Sequence, residues 1–373
     1  MTGRTVYFTG PREVTVRETS VPDPGSGEVA VEATVSAISP GTELLLYRGE
    51  MNPETAVDET LPSLSGSFSY PFAYGYATVG TVTAVGPDVD DAWRGETVLA
   101  FHPHASEFVA DVDAVSRVPD GIPPEQAVFL PNVETAVTLA LDGEPAIGER
   151  AVVFGQGVIG LLTTALLSSF PLAELVTVET LASRRDRSEA VGADRSVDPG
   201  AVDPASLFAD GPGDGRTAGA SASQEPDPES TPVSASPSTP AGDRDESWSP
   251  DRADLTYELS GNPAALNDAV DATGYDGRIV VGSWYGTKPT ELSLDGRFHR
   301  SRIEIRASQV STLAPERRGR WTVGRRLATA WRRLRDIETE RLVTHRLPIA
   351  EAPDAYDLLD RRPESTVQVL LTY

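Results

Sequence analysis

The chain has no cysteine in 373 residues. That excludes disulfides and every thiolate-ligated zinc or iron–sulfur site. Lysine is nearly missing too: Lys288 is the single one, and arginine supplies the rest of the 32 basic residues against 56 acidic ones. The net charge of −24 repels nucleic acid and anionic membrane surfaces. Carboxylates spread along the whole chain suit a cytoplasm kept at high salt, where screening removes their mutual repulsion, so a halophilic protein is expected. No apolar run approaches the roughly 20 residues of a membrane span; "LLTTALLSSF" is too short and carries hydroxyls. The opening "MTGRTVYFTG" shows neither a basic region nor a long apolar one, so no secretory signal and a cytoplasmic location are expected. Histidine is scarce as well, and two of the four sit together in "FHPH" at 101–104.

What is present suggests two domains, since a chain of this length is long for a single core. The N-terminal part, with "VTVRETSVPDPGSGEVAVEATVSAISPGTE" and "YGYATVGTVTAVG", alternates with period two between Pro and Gly breaks, the texture of a small β-rich domain. Further on, strand-like runs at 151–154, 175–179, 254–261, 277–284 and 302–308 are separated by helical spacers, which predicts an α/β parallel, doubly wound sheet. From 203 to 250 Gly, Pro, Ser and acids dominate, and a disordered acidic insertion is expected there.

The strongest signal is "ERAVVFGQGVIGLLTTALL". Gly155, Gly157 and Gly160 stand in G-x-G-x-x-G spacing between a β-branched run and an apolar helix, and Glu179 ends the next strand nineteen residues later. Gly155 permits the tight turn, Gly157 lets a pyrophosphate approach the backbone, and Gly160 lets helix pack close on strand. The N–H groups that open the helix, with Gln156, Val158 and Ile159 between the glycines, face the phosphates. Glu179 accepts the adenosine ribose hydroxyls. Ser260 and Gly282, at the ends of two later strands, join the cofactor candidates. A carboxylate at 179 repels a 2′-phosphate and favours NAD, while Thr180, Arg184 and Arg185 nearby keep NADP open.

Together with "PGTE" (40–43), "YGYATVG" (74–80), "RGETV" (94–98), "LPNVETAV" (130–137) and "THRLPIAEAPDAYDLL" (344–359), this fingerprint makes the chain resemble the medium-chain dehydrogenase/reductase superfamily of zinc alcohol dehydrogenase type. "SPGTE", "YGYATVG" and "FHPH" look like the branch containing bacteriochlorophyllide hydroxyethyl dehydrogenases. The resemblance implies a GroES-like catalytic domain over 1–140, completed by 312–373. It also implies a Rossmann domain over 141–311 and a homodimer or homotetramer acting on a small-molecule substrate. The departures from the pattern are chemical. Where the zinc enzymes read "CGTD" and "GHE", this chain has Pro40, Tyr76 and Ala77, and the third-ligand region reads Leu130, Pro131, Asn132. Proline has no side-chain donor and a neutral phenol binds zinc poorly, so no metal is expected.

The resemblance places Thr42 where a hydroxyl relays the alcohol proton, and Thr135, with Glu134 beside it, under the nicotinamide. It also places "FHPH" on the substrate cleft. His102 and His104 are expected as pocket-wall residues that finish the proton relay, with structural hydrogen-bonded histidines and a metal pair as the alternatives. Tyr76 either hydrogen-bonds the substrate oxygen in place of the metal or braces Glu43. His299 and His345 are expected to be structural. The predicted activity is NAD(P)-dependent interconversion of a secondary alcohol and a carbonyl compound without zinc. Enone or quinone reduction, and a non-catalytic nucleotide-binding sensor or structural subunit, are the alternatives.

Overall fold

The computed structural model describes residues 2–54, 67–209 and 251–373. Six parallel strands form one sheet, in the spatial order Arg195–Val197, Glu174–Val178, Arg150–Phe154, Ala253–Glu258, Thr273–Val281, Glu304–Ala307. The chain starts at Arg150–Phe154, winds to one edge, then returns across its start and winds to the other edge. Such a reversal opens a crevice at the carboxyl ends of the two central strands. Both faces of this sheet are covered, so its central strands read as continuous apolar runs without alternation; Ala151, Val152, Val153 and Phe154 are all buried. Helix Leu130–Gly143 packs with helix Val158–Leu167 through residues such as Val133, Val137, Leu161 and Leu162. Helix Ala265–Ala272 covers the other face through Ala269 and Val270.

A second, largely antiparallel sheet holds, in order, Val343–Pro348, Gln368–Thr372, Glu28–Ala37, Thr78–Val85, Thr97–Ala100 and Val115–Arg117, with Glu107–Asp111 also paired to Glu28–Ala37. Leu370 stands opposite Ala37 and Thr372 opposite Val35, so the end of the chain joins the sheet begun near its start. Alternation is clearest where only one face is packed, as in Thr2–Gly10, which pairs with Glu13–Ser20 and Phe72–Ala73 in a small third sheet. The helix Pro40–Arg48 leaves the end of Glu28–Ala37 with Pro40 in its first turn, a position where a missing N–H costs nothing. It stops at Gly49, which takes the left-handed conformation at φ +72°.

The start of the expected insertion is corrected by the structure. Asp203 caps a single turn, Pro204–Ser206, and Leu207 and Phe208 are 2% and 1% exposed, packed with Val152, Phe154, Val176 and Ile279. Two apolar residues after a proline-rich run make no periodic pattern, yet they fill the space beside the sheet and Phe208 also underlies the guanidinium groups of Arg150 and Arg195. The rest of the stretch, 210–250, lies outside the described residues.

Candidate active site

The glycine turn is the first half of the site. Gly155 has φ +84°, and a Cβ there would lie 2.4 Å from the Ser260 Cα, so the loop after Ala253–Glu258 closes directly on it. A Cβ at Gly160 would lie 1.9 Å from the Gly155 carbonyl oxygen, which is why helix Val158–Leu167 can start so near the strand. At Gly157, by contrast, a Cβ would meet no atom within 4 Å. The open side of the turn is therefore at the helix N-terminus, where N–H groups without intrahelical partners suit a pyrophosphate.

Glu179 locks this turn. Its Oε2 accepts from the Gln156 N–H at 2.7 Å, and its Oε1 accepts from the Leu181 N–H at 3.0 Å and the Thr180 hydroxyl at 3.1 Å. Oε1 thus accepts two bonds and Oε2 one, which leaves a lone-pair site on Oε2 for a ribose hydroxyl. The neighbouring arginines are already engaged. Arg185 donates to the Glu179 and Thr180 carbonyls, each at 2.7 Å, and pairs with Asp198 at 3.3 Å. Arg184 reaches the Thr366 carbonyl at 3.0 Å, and burial holds its pKa below the ordinary arginine value. Ser260 turns inward, its N–H donating to the Glu258 Oε1 at 2.9 Å and its hydroxyl to the same atom. Gly282 faces Leu259 and Leu139 so tightly that a Cβ would lie 2.6 Å from the Leu259 side chain. These residues fit a dinucleotide: a shaped backbone turn, an open helix start and one fixed acid.

The second half is a set of hydroxyls. Tyr76 donates to the Ser39 Oγ at 2.5 Å and is hydrogen-bonded to Thr42 as well. Burial pushes the phenol up to about 12, the Glu43 carboxylate adds to that, and the bonds to Ser39 and Thr42 offset part of it. Tyr76 is thus a neutral phenol at physiological pH, able to donate but not to ionise. Thr42 and Tyr76 are both half-buried, and they converge.

Neither histidine of "FHPH" joins them. His104 is 0% exposed; its Nδ1 is bonded to the Ser36 Oγ at 2.7 Å and its Nε2 to the Glu43 Oε2 at 3.0 Å. Both ring nitrogens are committed, so the expected wall and relay role is corrected: His104 braces the interior. Ser36 continues to the Tyr373 hydroxyl at 2.7 Å, and Glu43 also binds the Ser39 N–H at 2.8 Å and the Tyr356 hydroxyl. Glu43 and Tyr76 therefore do not brace each other directly; they meet through Ser39. His102 lies flat on Phe108, ring centroids 4.0 Å apart, with Nδ1 against the Pro103 carbonyl at 2.9 Å. Phe108 belongs to the core of Val29, Val31 and Val98, whereas Tyr76 and Phe101 pack on the core of Val79 and Val133. Burial lowers the His102 pKa to about 4, which makes the ring a weak base for taking up a proton near neutrality. His299 is exposed in the short helix Arg297–Arg300, and His345 sits on an edge strand of the second sheet.

Under the turn, Thr135 is half-buried, its hydroxyl donating to the Pro131 carbonyl at 2.9 Å. Glu134 is no cofactor contact: it is 6% exposed and holds the buried Arg326 at 2.9 and 3.0 Å. Burial raises its pKa and Arg326 opposes that. Asn132 is only 4% exposed and its amide makes no hydrogen bond among the described residues. Reasoning from sequence missed Ser36, Ser39, Tyr356 and Tyr373. Only Ser39 carried a signal, as the first residue of "SPGTE".

Among the described residues no group of three histidine, aspartate or glutamate side chains is placed to hold a metal, and no helix is long and apolar enough to cross a membrane. No family model matches the chain. It is similar to L-threonine 3-dehydrogenase of Thermococcus kodakarensis, 28% identical over 223 residues that cover 52% of this chain and 60% of that protein. It is similar along nearly its full length to 2-desacetyl-2-hydroxyethyl bacteriochlorophyllide A dehydrogenase of Rhodobacter capsulatus, 24% identical over 99% of this chain and 98% of that one. An Escherichia coli alcohol dehydrogenase solved with NADH has the same fold, with a TM-score of 0.72 at 18% identity over 100% of this chain and 99% of its own. The dehydrogenase relatives and the shared fold support an alcohol-dehydrogenase-like oxidoreductase. These dehydrogenases, taken together, support a place for the chain in the medium-chain dehydrogenase/reductase, alcohol-dehydrogenase-like superfamily.

Proposed function

We propose that the chain is a zinc-independent, NAD-preferring oxidoreductase that interconverts a small-molecule secondary alcohol and its carbonyl compound in the crevice between two domains. The catalytic domain would comprise 1–140 and 312–373, and the nucleotide domain 141–311. The observation that carries this reading is the hydroxyl cluster of Tyr76, Ser39 and Thr42; by the resemblance, Tyr76 stands at a zinc-ligand position and Thr42 at that of the proton-relaying hydroxyl. A nicotinamide held in the crevice would supply or take the hydride. Thr42 and Tyr76 hold a hydrogen bond to the substrate oxygen, and the proton released on oxidation passes through these hydroxyls to solvent. Zinc has no place in this donor set: Pro40 offers no atom, Tyr76 is a neutral phenol, and Glu43 and His104 are bonded to each other. NAD is preferred because Glu179 meets the ribose while Arg184 and Arg185 are engaged elsewhere. A cytoplasmic homodimer or homotetramer is the form we propose.

A screen of secondary alcohols and ketones at high salt, read by NAD(P)H absorbance with and without a chelator, tests the reading. Turnover should survive chelation, and Tyr76→Phe should lower kcat about 100-fold while leaving nucleotide affinity within about two-fold. Zinc near one per chain, lost together with activity, would overturn the metal-free mechanism. Nucleotide binding with no turnover on any substrate would favour the sensor.

A further inference from the structure

Lys288 is the single lysine of the chain, and it stands at a crossing between the two halves of the site. Its Nζ donates to the Gly261 carbonyl at 3.1 Å, in the loop whose Ser260 closes on Gly155. The same ammonium lies 3.6 Å from the Glu50 Oε2, in the segment that follows helix Pro40–Arg48 and its Thr42. The backbone is drawn together at this point. The Glu50 carbonyl accepts from the Thr287 N–H at 2.9 Å and the Thr287 hydroxyl at 3.2 Å. Gly286, at φ +63°, passes so close that a Cβ would lie 2.2 Å from that carbonyl oxygen. Glu50 is also tied to its own helix, its N–H donating to the Leu45 carbonyl at 2.8 Å.

One polar atom here is left over. The Glu50 Oε2 is buried and makes no hydrogen bond among the described residues. A buried carboxylate oxygen facing an ammonium just beyond hydrogen-bond distance gains a charge-assisted bond from a small approach of the two sides. Arginine, used at every other Lys/Arg position of the chain, has a planar fork that two lone acceptors on different elements do not match; a compact, rotatable ammonium does.

We propose that Lys288 and Glu50 form an ionic clamp in which Lys288 is a positioning residue, coupling the nucleotide loop at Ser260–Gly261 to the helix that carries Thr42. The inference rests on the reading of Thr42 and Tyr76 given above. Nucleotide in the turn fixes the loop, Lys288 bonds both Gly261 and Glu50, and the hydroxyl cluster is held at its working distance from the nicotinamide.

Full-length protein and NADH test this without a substrate. An amine-acetylating reagent modifies Lys288 and the N-terminal amine, and peptide mass spectrometry reads the two separately. Saturating NADH should slow acetylation of Lys288 about ten-fold, leave the N-terminal amine unchanged, and lose that protection in Glu50→Gln, which still binds NADH by fluorescence. An unprotected Lys288 in NADH-bound protein overturns the clamp. So does protection that survives Glu50→Gln, because the nucleotide then covers the lysine itself. In turnover, Lys288→Gln should lower kcat about ten-fold with the nucleotide KM within about two-fold, and Lys288→Arg should fail to restore it fully. An unchanged kcat in Lys288→Gln overturns the positioning role. Should Tyr76→Phe leave turnover untouched, the catalytic reading fails, and the acetylation experiment still decides the clamp.

Discussion

The glycine turn and the hydroxyl cluster are the two halves of the proposed site, and they are assembled from different materials. The turn is backbone, drawn from Gly155 to Gly160 and locked by Glu179, whose bond to the Gln156 N–H spans 23 residues. The cluster is made of side chains whose supports are scattered: Tyr356 reaches Glu43 across 313 residues, and Tyr373 reaches Ser36 across 337. Sites made of backbone fail when a Cβ enters them. Sites made of buried side chains fail when one member leaves and its partners stay buried without bonds.

Gly160→Ala should produce the largest effect and strikes the turn alone. Its Cβ meets the Gly155 carbonyl, so the helix must shift off the strand, and NADH affinity should fall about 100-fold or more with the second sheet intact. Titration by protein fluorescence reads this, and affinity close to the parent's would mean the turn yields more easily than its geometry implies.

His104→Ala strikes the other region. It leaves Ser36 and Glu43 buried with one partner fewer each, at a cost of about 3 kcal/mol in unfolding free energy. Denaturant unfolding measures it. In the folded variant NADH affinity should match the parent's, and a large loss of stability with normal nucleotide binding is the signature that separates the two regions.

A smaller effect follows from His102. Its folded pKa is about 4 against 6.5 for a free imidazole, so the fold favours the neutral ring. That contribution is fully present above pH 6.5 and is lost as pH falls towards 4, about 2 kcal/mol by roughly pH 5. Unfolding curves across this range should show the decline, and His102→Phe should flatten it. An unchanged slope in the variant would assign the acid sensitivity to carboxylates instead.

How much could be read beforehand differs between the regions for the same reason. "GQGVIG" declares its geometry because each glycine answers to a neighbour a few residues away or to the strand it abuts. Thr42 and Tyr76 were found by position in a resemblance, and the structure brings the Tyr76 phenol onto Ser39, which opens the helix carrying Thr42. "FHPH" misled because alternation in an extended segment tells which side chains share a face but not what lies opposite. Phe108 lies under one ring, and Ser36 and Glu43 bracket the other. Leu207 and Phe208 were lost in a polar stretch for a similar reason, since two apolar residues have no period.

The sequence alone determined the doubly wound sheet, the nucleotide turn, the acid at Glu179 and the unsuitability of Pro40 and Tyr76 as zinc ligands. Those depend on short-range backbone sterics and on the donor atoms a residue owns. Only the tertiary structure decided that His104 braces the interior, that Glu134 belongs to Arg326, and that Lys288 faces Glu50 across the site. Burial and hydrogen-bond partners set those roles, and both come from residues far apart in the chain that no local pattern brings together.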